Sequence, residues 1–407
     1  MIDHDDEYQL AIEIERRLPP FVALRELVLL SADIHINPAN IALLARCPNL
    51  KRLELESPDE CAVRYLTDAI LAFCPNLVEL VWGGEHDYAD ELVEGLLRSS
   101  RLGWRVLRLP YMDNFGASSY NVVMENAKTL EELHLHKWGD VTKEILHDWF
   151  LNFVCSAENL RRLTGHQHGE RRARDTAVEV HAYDAFMKYV DEDGGNCKWA
   201  LGPKVESLQM QIVGIPRPDV VCREDGTPLR DEVFGKESGD GRRYEIQRYI
   251  YEQLAKMTGL QELVLGLIVI DRDDLTRYGI NDSVYSKMAS LTDLEDDLKC
   301  EWEMIKLFNY QCLEFSLESG LELLEEMKKL RVLDVTSTAH RIGVPELEWM
   351  RVHWPRLKEV RGLASERRWA GEGEDGMAVH AAVEEWMAVH PNGIGSSYAE
   401  ADNGLRR

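Results

Sequence analysis

Histidines two residues apart occur twice, as His134 with His136 and His166 with His168. In extended backbone such a pair shares one face, where two imidazoles can begin a metal site. Zinc needs further ligands at fixed distances, and no cysteine or carboxylate pattern supplies them, so no metal site is predicted. Arg161, Arg162, Arg171, Arg172 and Arg174 form the basic cluster of an acidic chain. Guanidinium groups pair phosphate bidentately, a chemistry suited to a phosphorylated peptide. Glu158, Glu170 and Asp175 lie among these arginines. A solvated loop paired to those acids is the simpler expectation.

Two other motifs fail on their chemistry. Gly371-Glu372-Gly373-Glu374-Asp375-Gly376 spells G-x-G-x-x-G, but no strand precedes it and its three acids would repel a pyrophosphate. Asp191-Glu192-Asp193-Gly194 begins like a calcium loop, yet its twelfth position is Gly202 rather than Glu. The P-loop, H-E-x-x-H and G-x-S-x-G patterns do not occur. No catalytic constellation emerges, so the chain is expected to bind rather than to catalyse, and to need no cofactor.

Composition narrows the partners. The 407 residues are 45% hydrophobic, ample for a buried interior, and the net charge is −25. Such acidity argues against nucleic acid or an anionic membrane as the main partner. The first residues, Met1 to Arg17, lack a secretory apolar core, and the longest apolar stretch, Leu263 to Ile270, is too short to span a bilayer. Eight scattered cysteines without a C-x-x-C pair read as reduced thiols of a cytoplasmic or nuclear protein.

The elements that must position any site are set by a recurring L-x-x-L-x-L block. It appears as Leu24/Leu27/Leu29, Leu50/Leu53/Leu55, Leu77/Leu80/Trp82, Trp104/Leu107/Leu109 and Leu130/Leu133/Leu135. The middle anchors, 27, 53, 80, 107 and 133, are 26 or 27 residues apart. That period is the signature of leucine-rich repeats. In extended backbone alternate side chains share a face, so the fourth and sixth block positions enter the core together. Helical spacing fills the intervals at 41–44, 66–71, 90–97 and 143–153. The expected fold is an α/β leucine-rich-repeat solenoid, a curved parallel sheet on the concave side with helices on the convex side.

With positions one, four and six inside, positions three and five face solvent on the concave strands. That face presents Glu26, Arg52, Glu54, Glu79, Arg108, Glu132, His134, Arg162 and Glu359 as the candidate protein-binding residues. Later blocks are spaced less evenly: Leu163, Leu208 and Leu263 follow at intervals of 30, 45 and 55. The solenoid is therefore assigned to 21–363, with insertions near 166–200 and 211–245 that read as surface loops. Residues 1–20 form an N-terminal cap segment. Residues 364–407, acidic and glycine-rich, are expected to be a mobile tail in which Met377 to Val389 has helical character.

Two repeats share one lead-in, Cys47-Pro48-Asn49-Leu50 and Cys74-Pro75-Asn76-Leu77, and Trp354-Pro355-Arg356-Leu357 varies it. These lead-ins resemble the cysteine-containing repeats of F-box proteins. Leu313 to Leu317 and Leu333 to Thr336, read as strands, together with Ala339-His340-Arg341-Ile342-Gly343, look like the closing repeats of fungal F-box/leucine-rich-repeat proteins. The resemblance implies a receptor that selects a target for an SCF-type ubiquitin ligase, with an F-box docking on the ligase adaptor. Leu18-Pro19 resembles the opening of an F-box, but the chain then runs directly into a repeat strand. No F-box is read here. The adaptor is thus a partner only if such a segment belongs to the protein. The alternative is a stand-alone repeat protein that regulates or inhibits one protein partner.

Overall fold

The blocks fold as strands. In the computed structural model, β1 (Glu26–Leu29), β2 (Arg52–Glu56), β3 (Glu79–Gly83), β4 (Val106–Arg108), β5 (Glu132–His134) and β6 (Arg162–Thr164) each begin at the third block position. They pair in parallel and in chain order. Register is one for one, so Leu27, Leu53, Leu80, Leu107, Leu133 and Leu163 form a single row. The structure describes residues 19–29, 44–56, 60–83, 88–109, 115–135, 143–165, 179–191, 198–215, 240–265, 312–336, 338, 340–363 and 373–390. They fall into two units, Met1–Thr164 and Gly165–Arg407.

Between the strands of the first unit run α1 (Glu60–Phe73), α2 (Asp90–Leu97), α3 (Ala117–Glu125) and α4 (Lys143–Val154). α1 buries Val63, Leu66 and Ile70, a three-and-four spacing that places them on one face. The predicted helices at 66–71, 90–97 and 143–153 are found; residues 41–43 of the fourth lie outside the described residues. Each fully buried leucine of the row contributes on the order of 2 kcal/mol of transfer free energy, realised only against the neighbouring repeat.

Polar groups at the repeat junctions are satisfied by a shared device. Asn49 donates its side-chain amide to the Val22 carbonyl at 2.9 Å, Asn76 to Pro48 at 3.2 Å and Asn159 to Lys128 at 2.8 Å. Each asparagine directly precedes a first-position leucine and reaches one repeat back. This explains the asparagine of the Cys-Pro-Asn-Leu lead-in. Asp90 plays a similar role between helices. Its carboxylate accepts from the backbone amides of Gly116 (2.8 Å), Ser118 (3.2 Å) and Ser119 (3.3 Å), capping α3 from the preceding helix.

The second unit contains β7 (Glu179–His181), α5 (Ala182–Asp191), β8 (Ser207–Gln209), β9 (Gln211–Val213), α6 (Asp240–Leu254) and β10 (Glu262–Val264). A short 3-10 turn (Leu321–Leu324), β11 (Val332–Asp334), α7 (Val344–His353), β12 (Glu359–Arg361) and α8 (Gly373–Val389) follow. β8, β10, β11 and β12 are consecutive parallel neighbours, while β7 and β9 form a separate parallel pair. Parallel strands in chain order with intervening helices make the protein an α/β leucine-rich-repeat solenoid.

Three expectations need correction in this unit. The insertions are not plain loops: β7 and α5 occupy part of the first and bury Val180, Ala182 and Ala185, while β9 and α6 encroach on the second. The apolar spacing from Ala182 through Tyr189 is helical, a period masked by the charged residues around it. Leu313 to Leu317 is not a strand. Phe315 takes a left-handed φ of 53°, and the amides of Glu314, Phe315 and Ser316 bond to the side chains of Gln247, Tyr251 and Ser319 instead of a neighbouring strand. Nor is the segment after Leu363 without packing, because α8 buries Val383 and Trp386. The Trp386 indole donates to Glu348 of α7 at 2.6 Å.

Candidate functional site

Because block positions four and six turn inward, positions three and five form two rows across the strands. In the first unit the third-position row reads Glu26, Arg52, Glu79, Val106, Glu132, Arg162. The fifth-position row reads Val28, Glu54, Val81, Arg108, His134, Thr164. In the second unit the rows are Ser207, Glu262, Val332, Glu359 and Gln209, Val264, Asp334, Arg361. The structure places all nine expected residues on these rows. Eight lie together across the first unit, and Glu359 lies in the second. Glu26 and Arg162 are exposed, and the other seven are half-buried.

Neighbouring strands lie about 4.8 Å apart, so opposite charges in one row come within bridging distance. Arg52 pairs with Glu54 at 3.0 Å along its own strand and with Glu79 at 3.7 Å across to β3. Glu132 is shared by Arg108 (3.0 Å) and Arg162 (3.4 Å) from either side. His134 shares a 2.8 Å hydrogen bond with the Thr164 hydroxyl. Partial burial works against the Arg52 guanidinium, but its Glu54 hydrogen bond and the charges of Glu54, Glu79 and Glu26 hold its pKa above the ordinary value. Such half-exposed pairs contribute about 0–1 kcal/mol each to folding. Their chief effect is to fix donors and acceptors in place.

Sequence reasoning missed part of this face. In the second unit Arg361 bonds Glu359 at 3.0 Å and lies 3.7 Å from Asp334, whose side chain is 0% exposed. The Glu359 hydrogen bond, then the charges of Glu359, Asp334 and Glu262, raise the Arg361 pKa against the opposing effect of burial. Glu262 and Arg361 obey the same third-and-fifth rule and were legible from it, whereas Asp334, at a fifth position, is buried. Val28, Val81 and Val106 also belong to the face, and a search for charge alone passes over them.

The remaining candidates fare differently. His134 is engaged with Thr164, while His136, His166, His168, Arg171, Arg172 and Arg174 lie outside the described residues. Among the described residues no group of three or more His, Cys, Asp or Glu is placed to hold a metal ion. Gly373 to Gly376, from the rejected glycine motif, form the first turn of α8. Cys47 and Cys74 stand as buried thiols. Burial, and then the neighbouring Cys47, pushes the Cys74 thiol up to about 12, so it is a core residue and a poor nucleophile. Among the described residues no helix is long and apolar enough to cross a membrane.

No family model matches the chain, and no curated protein matches it. Among solved structures, the crystal structure of the Rad7 and Elc1 complex in yeast is similar over 88% of this chain and 83% of that chain. The identity is 13% and the TM-score 0.39.

Proposed function

We propose that this protein is a protein-binding scaffold whose open strand rows capture a protein target, and that it serves as a substrate receptor for an SCF-type ubiquitin ligase. The observation that carries the binding role is the row of half-exposed, pre-paired charges running in register across six strands of the first unit. Fixed donors and acceptors interleaved with the exposed Val28 and the half-buried Val81 suit recognition of a folded or extended protein surface. The ligase role is supported by the Cys-Pro-Asn-Leu lead-ins, which resemble those of F-box repeat proteins. The chain acts by binding, without catalysis or cofactor, in the cytoplasm or nucleus. Neither nucleic acid nor membrane is its partner.

The test is affinity capture from the source organism, comparing wild type with the double variant Arg52→Glu, Arg108→Glu. Reversal sets like charges beside Glu54, Glu79 and Glu132, so target recovery should fall at least tenfold while the melting temperature moves little. Undiminished recovery by the folded variant would remove these rows from the site. Because no F-box is read in this chain, it should capture its target without the ligase adaptor, and recovery of the adaptor would overturn that reading.

A further inference from the structure

The strand-entry edge of the first four repeats carries the opposite sign to the chain as a whole. In each repeat this edge is the six residues that end at the second block position: 20–25, 46–51, 73–78 and 100–105. None of these residues is acidic and five are Arg or Lys, in a chain with 72 acidic against 47 basic residues. The four segments stack in register. The Lys51 amide donates to the Arg25 carbonyl at 2.8 Å, Val78 to Lys51 at 3.0 Å and Arg105 to Val78 at 2.7 Å. Steps along the edge therefore keep the ladder spacing of about 4.8 Å.

Two residues before the first block position stand Val22, Pro48, Pro75 and Leu102, one per repeat. Val22 and Leu102, at the two ends, are 58% and 61% exposed, and the prolines between them are half-buried. The junction asparagines tie this row together through the Val22 and Pro48 carbonyls. Cations border it. Arg25 donates to the Val22 and Asn49 carbonyls at 3.0 and 3.4 Å, Arg101 donates to the Leu71 carbonyl at 2.5 Å, and Lys51 is exposed. Arg46, whose carbonyl accepts from the Phe21 amide at 2.7 Å, has a buried Nε without a hydrogen-bond partner. Among the described residues none of these four cations bridges to a carboxylate, whereas Arg52, Arg98, Arg105 and Arg108 all do.

We propose that this edge binds an extended acidic segment of a partner protein, one with two apolar side chains four residues apart and carboxylates between them. Spacing and charge choose the occupant. Three ladder steps put Val22 and Leu102 about 14 Å apart, the span of four residues of extended chain. Apolar side chains at that interval cover both exposed ends of the row, with the prolines as a floor between them. Carboxylates lying between them meet Arg25 and Lys51, which form charge-assisted hydrogen bonds and set the sign of the partner. A nucleic-acid backbone would satisfy the cations but leave the apolar row uncovered. Glu26 and Glu79 open the strand rows one position beyond Arg25 and Val78, and they repel an acidic chain from the concave face. The edge is thus a second surface, separate from the rows assigned to target capture.

The test is fluorescence anisotropy with the full chain and labelled peptides. Salt at 0.15 M gives a Debye length of about 8 Å, which screens the long-range repulsion from the net charge of −25. The probe carries two leucines four residues apart among glutamates. One control replaces the glutamates by glutamine, and the other replaces the leucines by serine. The probe should bind roughly tenfold or more tightly than either control. Lys51→Glu and Leu102→Ser, at two exposed positions, should each weaken it about fivefold or more without moving the melting temperature. Lys51→Gln, which adds no charge, replaces the first variant if reversal disturbs the fold. Arg108→Glu with Arg162→Glu, on the concave rows, should leave the affinity unchanged. Absence of binding, equal binding of the glutamine peptide, or undiminished binding by both folded edge variants would each overturn the proposal. So would tighter binding of a single-stranded oligonucleotide than of the probe, or loss of binding in the concave variant alone.

Discussion

Junctions between repeats in Met1–Thr164 use one device again and again, an asparagine side chain reaching one repeat back to a backbone carbonyl. In Gly165–Arg407 the corresponding demand is met by a buried polar cluster that has no counterpart among the described residues of the first unit. Gln247 and Tyr251 of α6 hold the amides of Glu314 and Phe315 at 2.9 and 3.0 Å, Glu314 is wholly buried, and Ser316 and Ser319 complete the network. The reason is geometric. Where consecutive blocks stack in register, the residue just before the first block position reaches the carbonyl one repeat back, through an asparagine amide at three junctions and through the Thr129 hydroxyl, which donates to the Trp104 carbonyl at 2.8 Å, at a fourth. Where insertions break the step, side chains must substitute for a strand partner, and Phe315 adopts a left-handed backbone to meet them.

This contrast predicts where substitutions are costly. The largest loss belongs to the regular unit's leucine row. Leu107 is 1% exposed between Leu80 and Leu133. Leu107→Asp would bury a carboxylate with no partner and should cost on the order of 4 kcal/mol or more. Urea unfolding checks it, and a loss below about 1 kcal/mol would mean that the row is not the core.

How much was legible follows the same division. In the first unit the block gave strand positions, inward residues and open rows, because stacking repeats one local pattern and little else intervenes. The nine candidate residues all came from that rule. What escaped is of two kinds. Asp90 looks like an ordinary helix-start residue, and its role as the cap of the next helix exists only once repeats stack. In the second unit Leu313-Glu314-Phe315-Ser316-Leu317 reads as a strand, because alternation of Leu313, Phe315 and Leu317 fits period two. The backbone bonds that override this reading come from α6, more than sixty residues earlier.

A sharper comparison sets the two kinds of backbone satisfaction against each other. Tyr251→Phe removes the acceptor of the Phe315 amide inside a buried cluster where water does not replace it, and should cost about 1–3 kcal/mol. Asp90→Ala also strips acceptors, from the amides of Gly116, Ser118 and Ser119, but this cap is only part-buried and water takes over in part. Its expected cost is about 1 kcal/mol. Equal losses in paired denaturant melts, or a larger loss for Asp90→Ala, would show that burial of the network does not set the difference.

The smallest effect concerns α8, the packed part of the tail. Hydrogen bonds from the Trp386 indole and then from Arg351, with the charges of Arg351 and His390, hold the Glu348 carboxyl below its ordinary value of 4.5, against a small opposing effect of burial. A carboxyl whose folded pKa is depressed stabilises the packed state above the unfolded pKa and loses that contribution as pH falls through the folded value. Docking of α8 should therefore be unchanged between pH 7 and 5 and should weaken only below about pH 4.5. The Trp386 indole N–H resonance, assigned by comparison with Trp386→Phe, reports the contact directly. Its titration midpoint should fall below 4.5, and Glu348→Gln, which keeps an acceptor oxygen but cannot ionise, should abolish the titration. A midpoint above 4.5 would reverse the sign of the coupling. It would mean that the indole favours the neutral acid and that α8 is held by Val383 and the Trp386 ring alone.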